Sequence, residues 1–274
     1  MSHDAENRPA ERYTHGHHES VLKSHTWRTV ENSAAYLIPS IRRGLSVLDV
    51  GCGPGTITVD LARRVAPGRV VGLDAAAEVI EQAAALAADE QLQNVEFVVG
   101  DAYATGFADD SFDIVHTHQT LQHVADPVAV LRELRRVVKP GGVVAARDVD
   151  YAGTMVHPST PGLERWASLY QLVHRSNGGE PDAGRRLREW AREAGFTEVE
   201  SSASIWCFAS DDDREWWGSM WQARVLESAF ASDALGKGLA TQHELQEISD
   251  AWRAWADDPD GWMGMPHGEV LARG

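Results

Sequence analysis

The sequence predicts an α/β fold, a mostly parallel sheet with helices on both faces, and three observations carry that reading. Short apolar runs alternate with helical repeats from residue 46 to residue 149, the pattern of a parallel sheet covered on both sides. The turn Gly51-Cys52-Gly53-Pro54-Gly55 breaks the first apolar run, Val47-Leu48-Asp49-Val50, and leads into a helix at Thr56. Acids follow the next two runs, at Asp74 and Asp101, and open parallel sheets bind their ligands at those carboxyl ends.

Ahead of the sheet, Val21, Leu22, Trp27, Val30, Ala34, Ala35, Leu37 and Ile38 recur at helical offsets, so one or two helices are expected over 19–41. Pro39 and Gly44 then punctuate the approach to the first strand. The core reads as strand 46–50, helix 56–66, strand 69–73, helix 76–89, strand 95–99, strand 112–116, helix 127–138 and strand 142–149. The helix at 127–138 sets Val130, Leu131, Leu134, Val137 and Val138 on one stripe, with Arg132, Glu133, Arg135 and Arg136 on the other side. Lys139-Pro140-Gly141-Gly142 stops it, because proline cannot continue a helix and glycine accepts the left-handed turn.

Past Asp148 the repeats predict helices over 161–176 and 183–194, the second with Leu187, Trp190, Ala191 and Ala194 on one face. Thr197 to Ser210 reads as a pair of strands, a hairpin closing the sheet, and 211–256 reads as helical. The expected organisation is an amino-terminal polar segment with lid helices (1–44), a core (45–210) and a helical carboxyl-terminal extension on the substrate side (211–274).

A chain of 274 residues with 43% hydrophobic content can bury a substantial core in one domain with a helical addition. No apolar run approaches the roughly 20 residues that cross a bilayer, and the polar start lacks a signal-peptide core, so a cytoplasmic protein is expected. Cys52 and Cys207 lie far apart and read as reduced thiols. The formal charge of −16 opposes phosphate backbones and anionic lipid, so neither nucleic acid nor membrane is an expected partner.

The glycine spacing is G-x-G-x-G, whereas the dinucleotide fingerprint needs a third small residue at the place Thr56 occupies. Asp49, two residues before Gly51, would repel a pyrophosphate but suits the ammonium and sulfonium of S-adenosylmethionine. Asp74 is placed to accept both ribose hydroxyls, Asp101 the adenine amino group, and the Ala102 amide reaches the ring. Taken singly, each acid also fits a plain helix cap; their combination with the turn points to the cofactor.

Val47 to Thr56, Val71-Gly72-Leu73-Asp74, Val98-Val99-Gly100-Asp101-Ala102, Phe112-Asp113-Ile114-Val115 and Leu131 to Gly142 together resemble the ordered motifs of class I S-adenosylmethionine-dependent methyltransferases. The resemblance covers residues 45–148 and is nearest the ubiquinone and menaquinone biosynthesis branch, which acts on small molecules. It implies a Rossmann-like, seven-stranded sheet whose last strand is antiparallel, and S-adenosylmethionine as methyl donor. The cofactor-binding residues expected are Tyr13, Asp49, Gly51, Cys52, Gly53, Gly55, Asp74, Asp101, Ala102, Thr117 and Gln119.

Tyr13-Thr14-His15-Gly16-His17-His18, with Ser24-His25 and Glu31 to Leu37, is similar to the amino-terminal segment of the gliotoxin bis-thiomethyltransferase and its bacterial relatives, which S-methylate reduced dithiols. A small-molecule acceptor with a thiol nucleophile is therefore the preferred expectation. O-, N- or C-methylation of a phenolic or quinone-like ring is the alternative within enzymes, and a non-catalytic cofactor-binding protein the alternative outside them. A thiol, with a reference pKa near 8.5 against about 10 for a phenol, needs the least help from a base.

His118 follows the fourth strand and is the candidate catalytic helper, while His123 reads as a packing residue. His15, His17 and His18 lack a rigid ligand set, so no metal is expected. Trp166, Trp206, Trp217 and Trp221 are the candidates for an apolar substrate wall, most of them expected in the core and one or two at the cleft.

Overall fold

The computed structural model describes residues 27–274. The first strands form from short runs rich in valine: β1 (Val47–Val50), apolar except for Asp49, is buried at every position, as a strand covered on both faces must be. It is followed by α2 (Thr56–Val65), β2 (Val70–Asp74), α3 (Ala77–Asp89), β3 (Val95–Val99) and β4 (Phe112–His118). A short turn of helix, α1 (Val30–Ser33), precedes them, capped by Thr29 and Asn32 in a reciprocal box. Then come α4 (Pro127–Val137) and β5 (Val138–Val149).

The sheet order is β3-β2-β1-β4-β5, all parallel. Alternate side chains separate two cores. Leu48, Val50, Val71, Leu73 and Val115 pack with Leu131 and Leu134 of α4 on one face, and Val47, Val70 and Ile114 pack with Leu37, Leu61 and Val65 on the other. This is the period-two alternation of strands working in both directions.

The carboxyl-terminal half departs from the sequence expectation. Thr197 to Ser210 is not a hairpin: Glu198–Phe208 is one strand, β7, paired antiparallel along its whole length with β8 (Trp262–Arg273). The run lacks a central turn signal, and its partner lies some 60 residues away in the chain. β8 in turn pairs antiparallel with β5, so the region 211–274 is not a purely helical extension and a boundary at 210 would divide β7 from its partner. The three-residue β6 (Met155–His157) continues the β5 edge of β8 and makes the sheet eight-stranded. Pro266, which has no N–H to give, sits where that edge passes from β6 to β5, and its carbonyl accepts from the Asp150 amide at 2.9 Å.

The helices α5 (Pro161–Ser176), α6 (Ala183–Glu193), α7 (Asp211–Glu227), α8 (Ala229–Gly236) and α9 (Gln242–Asp257) complete the chain. α6 lies on the sheet core, with Leu187, Trp190 and Ala191 buried. α5, α7, α8 and α9 enclose a separate aromatic core in which Trp166, Trp221 and Trp252 meet ring to ring.

α6 approaches the sheet backbone to backbone. A Cβ at Gly268 of β8 would lie 1.9 Å from the Gly184 carbonyl oxygen, and one at Gly184 would lie 2.6 Å from that of Asp148. Gly268→Ala is therefore expected to cost about 3 kcal/mol, the upper part of the usual overpacking range, since no side chain can swing aside to make room. Urea unfolding measures it; a loss below about 1 kcal/mol would show that α6 moves freely off β8.

Candidate functional site

The turns after β1, β2 and β3 and the segment after β4 converge on a cavity of about 420 Å³. It opens at the carboxyl ends of the strands, where the order reverses between β1 and β4. Gly51, Gly53 and Gly55 all have positive φ, which explains glycine at each position. The Gly51 and Cys52 amides donate to Leu73 O at 2.8 and 3.1 Å, fastening the turn to β2. A Cβ on Gly51 would meet the Thr120 side chain at 2.1 Å, and one on Gly55 would meet Ala83 and Phe97. Two of the three glycines thus make room for the protein itself. Gly55 packs toward α3 and β3 and is not on the cavity wall, contrary to the expectation that it touches the cofactor.

Asp74 at the end of β2 accepts from the Gly53 amide at 3.0 Å with one oxygen and from the Ala76 amide at 3.1 Å with the other. A carboxylate oxygen accepts two hydrogen bonds, so these anchors orient the group and leave capacity facing the cavity. Asp101 accepts from the Tyr103 amide at 2.9 Å, and both it and Ala102 lie on the wall. Asp49 is deeply buried; it accepts from Thr58 Oγ1 at 2.6 Å and meets His116 Nδ1 at 2.7 Å. His116 was not singled out from the sequence, and only its pairing across the sheet with Asp49 reveals its part.

The cofactor half of the cavity therefore carries Asp49, Asp74 and Asp101, with no lysine or arginine among the described residues there. An adenosine bearing a cationic tail fits this donor set, and a pyrophosphate does not. Cys52 is on the wall, and its thiol pKa is pushed well up by burial and by the charges of Asp49 and Asp74, so it is an unreactive packing group.

The other half of the cavity is lined by His118, Gln119, His123, Tyr151, Trp206, Trp217 and Met265, together with Arg28 and Arg224. His118 is 5% exposed, lies beside Trp206 at 5.7 Å between ring centroids, and has no hydrogen-bond partner on either ring nitrogen among the described residues. Burial, then the charges of Arg28 and Arg147, hold its pKa well below the usual histidine value. It is neutral at pH 7 and a weak base.

Gln119, at a positive φ of 51°, accepts from Arg28 Nη2 at 2.7 Å, and its Nε2 lies 2.8 Å from His267 Nε2. His267 Nδ1 lies 3.0 Å from the Met265 carbonyl and must be the donor there, so Nε2 accepts from Gln119. Arg28, Gln119 and His267 form one hydrogen-bonded chain, of which Arg28 and Gln119 line the cavity.

Of the remaining expected residues, Thr117 is fully buried and absent from the wall, because consecutive strand residues face opposite ways and His116 and His118 take the site's face. Tyr13 and His15, His17 and His18 lie outside the described residues. His123, read as packing, is on the wall and also stacks on His174 at 4.9 Å. Trp206 and Trp217 line the cavity, while Trp166 and Trp221 belong to the aromatic core. Arg28, Arg224, Tyr103, Tyr151 and Met265 were missed; only Arg224, a charge at helical spacing from two tryptophans, carried a sequence signal. Among the described residues no cluster of histidine, cysteine and acids could hold a metal ion, and no helix is long and apolar enough to cross a membrane.

Fold and site define an α/β protein whose cavity fits an adenosine bearing a cationic tail and continues into a half lined by aromatic side chains. The chain belongs to the methyltransferase-domain family, whose pattern matches residues 41–204. It is an S-adenosylmethionine-dependent methyltransferase.

It is 37% identical over 270 residues to an uncharacterized methyltransferase of Schizosaccharomyces pombe, covering 94% of this chain and 95% of that protein. It is also 36% identical over 177 residues to the demethylmenaquinone methyltransferase of Lactococcus lactis, covering 57% of this chain and 68% of that one. The YcgJ protein of Bacillus subtilis superposes with a TM-score of 0.57 at 19% identity, over 89% of this chain and 98% of its own, a likeness of fold.

Proposed function

We propose that the protein methylates a thiol of a small, largely apolar molecule, with Asp49, Asp74, Asp101 and the turn from Gly51 to Gly53 holding the cofactor. The observation that carries the thiol reading is the lack of a strong base in the acceptor half: no described aspartate or glutamate lines it. Its histidines His118 and His123 both have pKa values well below the ordinary one, first through burial. A phenol at pH 7 needs a base to give up its proton, while a few per cent of a thiol is already ionised.

When bound, S-adenosylmethionine supplies a methyl group on a cationic sulfur, which keeps the bonding electron pair as the methyl passes to the acceptor. The chain's own work is to orient and to exclude water. Asp74 and Asp101 fix the adenosine, Asp49 faces the positive charge, and Trp206, Trp217 and Met265 keep the acceptor dry. Neutral His118 has one N–H donor and one acceptor nitrogen, neither bonded among the described residues. It can therefore accept from an incoming S–H or, once that proton is lost, donate to the thiolate and position its sulfur; orientation of this kind supplies much of the acceleration. The acceptor proton leaves to solvent before attack, since His118 is too weak a base to hold it.

The rate with a dithiol is accordingly expected to rise with pH and level off at the thiol's own pKa, at or below about 8.5. The sign follows from the thiolate fraction, which grows with pH while His118 stays neutral throughout. A pH profile of S-adenosylhomocysteine formation checks this, and a break at or below pH 6.5 that vanishes in His118→Gln would make the histidine a base instead. Assaying reduced dithiols beside phenols and hydroquinones tests the acceptor class. Turnover of the ring compounds alone, at a hydroxyl or at a ring carbon, would favour the phenolic or quinone-like alternative and remove the thiol reading.

A further inference from the structure

The segment that follows β4 carries four residues of the cavity wall, His118, Gln119, Thr120 and His123. Thr120 ties it to the cofactor turn: its Oγ1 donates to the Val50 carbonyl at 3.3 Å, and its side chain fills the space that a Cβ on Gly51 would need. Three anchors hold the segment from behind. The Gln119 amide donates to the Arg147 carbonyl at 2.8 Å. The Gln122 carbonyl accepts from the Glu180 amide and from His174 Nε2, both at 2.8 Å. The Gln122 amide, in turn, donates to Asp148 Oδ1 at 3.1 Å.

Asp148 is the one ionisable side chain among these anchors that lacks a counter-ion. It is fully buried, and Arg147, its neighbour in the chain, turns to the opposite face of β5 to meet Glu269 and Ser204. Asp148 Oδ2 has no hydrogen-bond partner among the described residues, and neither do the buried Gln122 Oε1 and Thr117 Oγ1. Thr117 pairs with Ala146, so it shares the sheet face of Asp148. With Asp148 ionised, these three oxygens have a single hydroxyl hydrogen between them. A neutral carboxyl group adds a second hydrogen and removes an uncompensated buried charge. Burial accordingly raises the Asp148 pKa to about 7, against the pull of the Gln122 and Leu121 amides and of the Arg147 and Arg28 charges.

We propose that Asp148 is a positioning residue that works as a neutral carboxylic acid, holding the segment after β4 in place, and that loss of its proton to solvent loosens this segment and weakens cofactor binding. The groups on the elements packed around it do not titrate in the same range. Burial holds His118 and His123 of the segment and His267 of β8 well below the usual histidine value, and it brings His174 of α5 to about 4. Glu269 of β8 lies on the far face with Arg147, and Arg185 of α6 pairs with Asp150.

The test is the affinity for S-adenosylhomocysteine, measured by isothermal titration from pH 6 to pH 8.5 on the parent protein, Asp148→Asn and Asp148→Ala. Asparagine keeps the accepting oxygen and a donor beside it, and it cannot ionise. At pH 6 Asp148→Asn is expected to bind within about threefold of the parent, and Asp148→Ala about tenfold or more weakly, as when a hydrogen bond to a buried group is lost. As the pH rises through 7, the parent is expected to lose affinity relative to Asp148→Asn. The loss reaches about thirtyfold at pH 8.5 in the limit that only the protonated protein binds. Titration of the ligand, or of the Asp49–His116 pair, occurs in both proteins and cancels in the ratio.

A relative loss of threefold or more supports the proposal; a smaller one overturns it. So does an Asp148→Asn protein that binds as weakly at pH 6 as Asp148→Ala. Should Asp148→Ala fail to fold, the ratio of parent to Asp148→Asn still decides. No acceptor takes part, so the outcome is separate from the fate of the thiol reading. Saturating S-adenosylmethionine keeps the proton on Asp148 to higher pH, and the rate profile of a thiol is measured under that condition.

Discussion

Asp74→Ala is expected to weaken S-adenosylhomocysteine binding by a hundredfold or more. A carboxylate accepting both ribose hydroxyls makes two charge-assisted hydrogen bonds, each about 1.5–3 kcal/mol, and tenfold in affinity is about 1.4 kcal/mol. The same side chain also receives the Gly53 and Ala76 amides, so its removal loosens the turn as well. Asp74→Asn keeps the shape but offers one acceptor oxygen in place of two, and a loss nearer tenfold is expected. Isothermal titration measures both, with circular dichroism to verify folding. Affinity within threefold of the parent for the folded Asp74→Ala protein would show that the ribose is held elsewhere.

Glu269→Ala carries the largest expected effect on stability, about 3–5 kcal/mol, the range for breaking a buried ion pair by removing one partner. Glu269 and Arg147 are both nearly sealed from solvent. The Glu269 carboxylate accepts from Arg147 Nε at 3.2 Å and from Ser202 Oγ at 2.7 Å, and it also accepts from Ser204. Burial outweighs the pull of Glu269 and holds the Arg147 pKa down to about 10 with that counter-ion in place. A guanidinium is not deprotonated in proteins, so removing Glu269 leaves a buried charge uncompensated. The guanidinium also lies 4.8 Å from the centroid of the Trp206 ring, so the loss should disturb the acceptor wall too. Urea unfolding at pH 7 gives the magnitude. Replacing both partners, as in Arg147→Met with Glu269→Leu, is expected to recover most of the loss; no recovery would mean that the serine hydrogen bonds, rather than the uncompensated charge, set the cost.

The cofactor half was largely legible because its signals are local. Asp49, the turn from Gly51, Asp74 and Asp101 each follow directly from an apolar run, and a strand that ends in a turn delivers the next residues to the same edge of the sheet. Gly55 and Thr117 show where this reasoning stops. Both belong to the motif segments, yet one packs against Ala83 and Phe97, and the other faces the core. A motif names a backbone shape; which way each side chain turns depends on what packs behind it.

The acceptor half was less legible. Its wall is assembled from Arg28, His118, Tyr151, Trp206, Arg224 and Met265, drawn from segments spread along nearly the whole described chain. Nothing in the neighbourhood of Met265 marks it as a wall residue, since β8 was hidden by Gly264, Pro266 and Gly268.

By itself the sequence determined the alternation of strand and helix, the glycine turn, and the acids that the fold gathers at the carboxyl edge of the sheet. These depend on periodicity and on residues within a few positions of each other. The tertiary structure alone decided that β8 lies between β5 and β7, that Gly184 meets Gly268, that Glu269 neutralises Arg147, and that Arg224 reaches the acceptor cavity. Such contacts join residues tens to more than a hundred positions apart. They are selected by the burial of whole faces and the pairing of buried charges, energies that come into being only when distant segments meet.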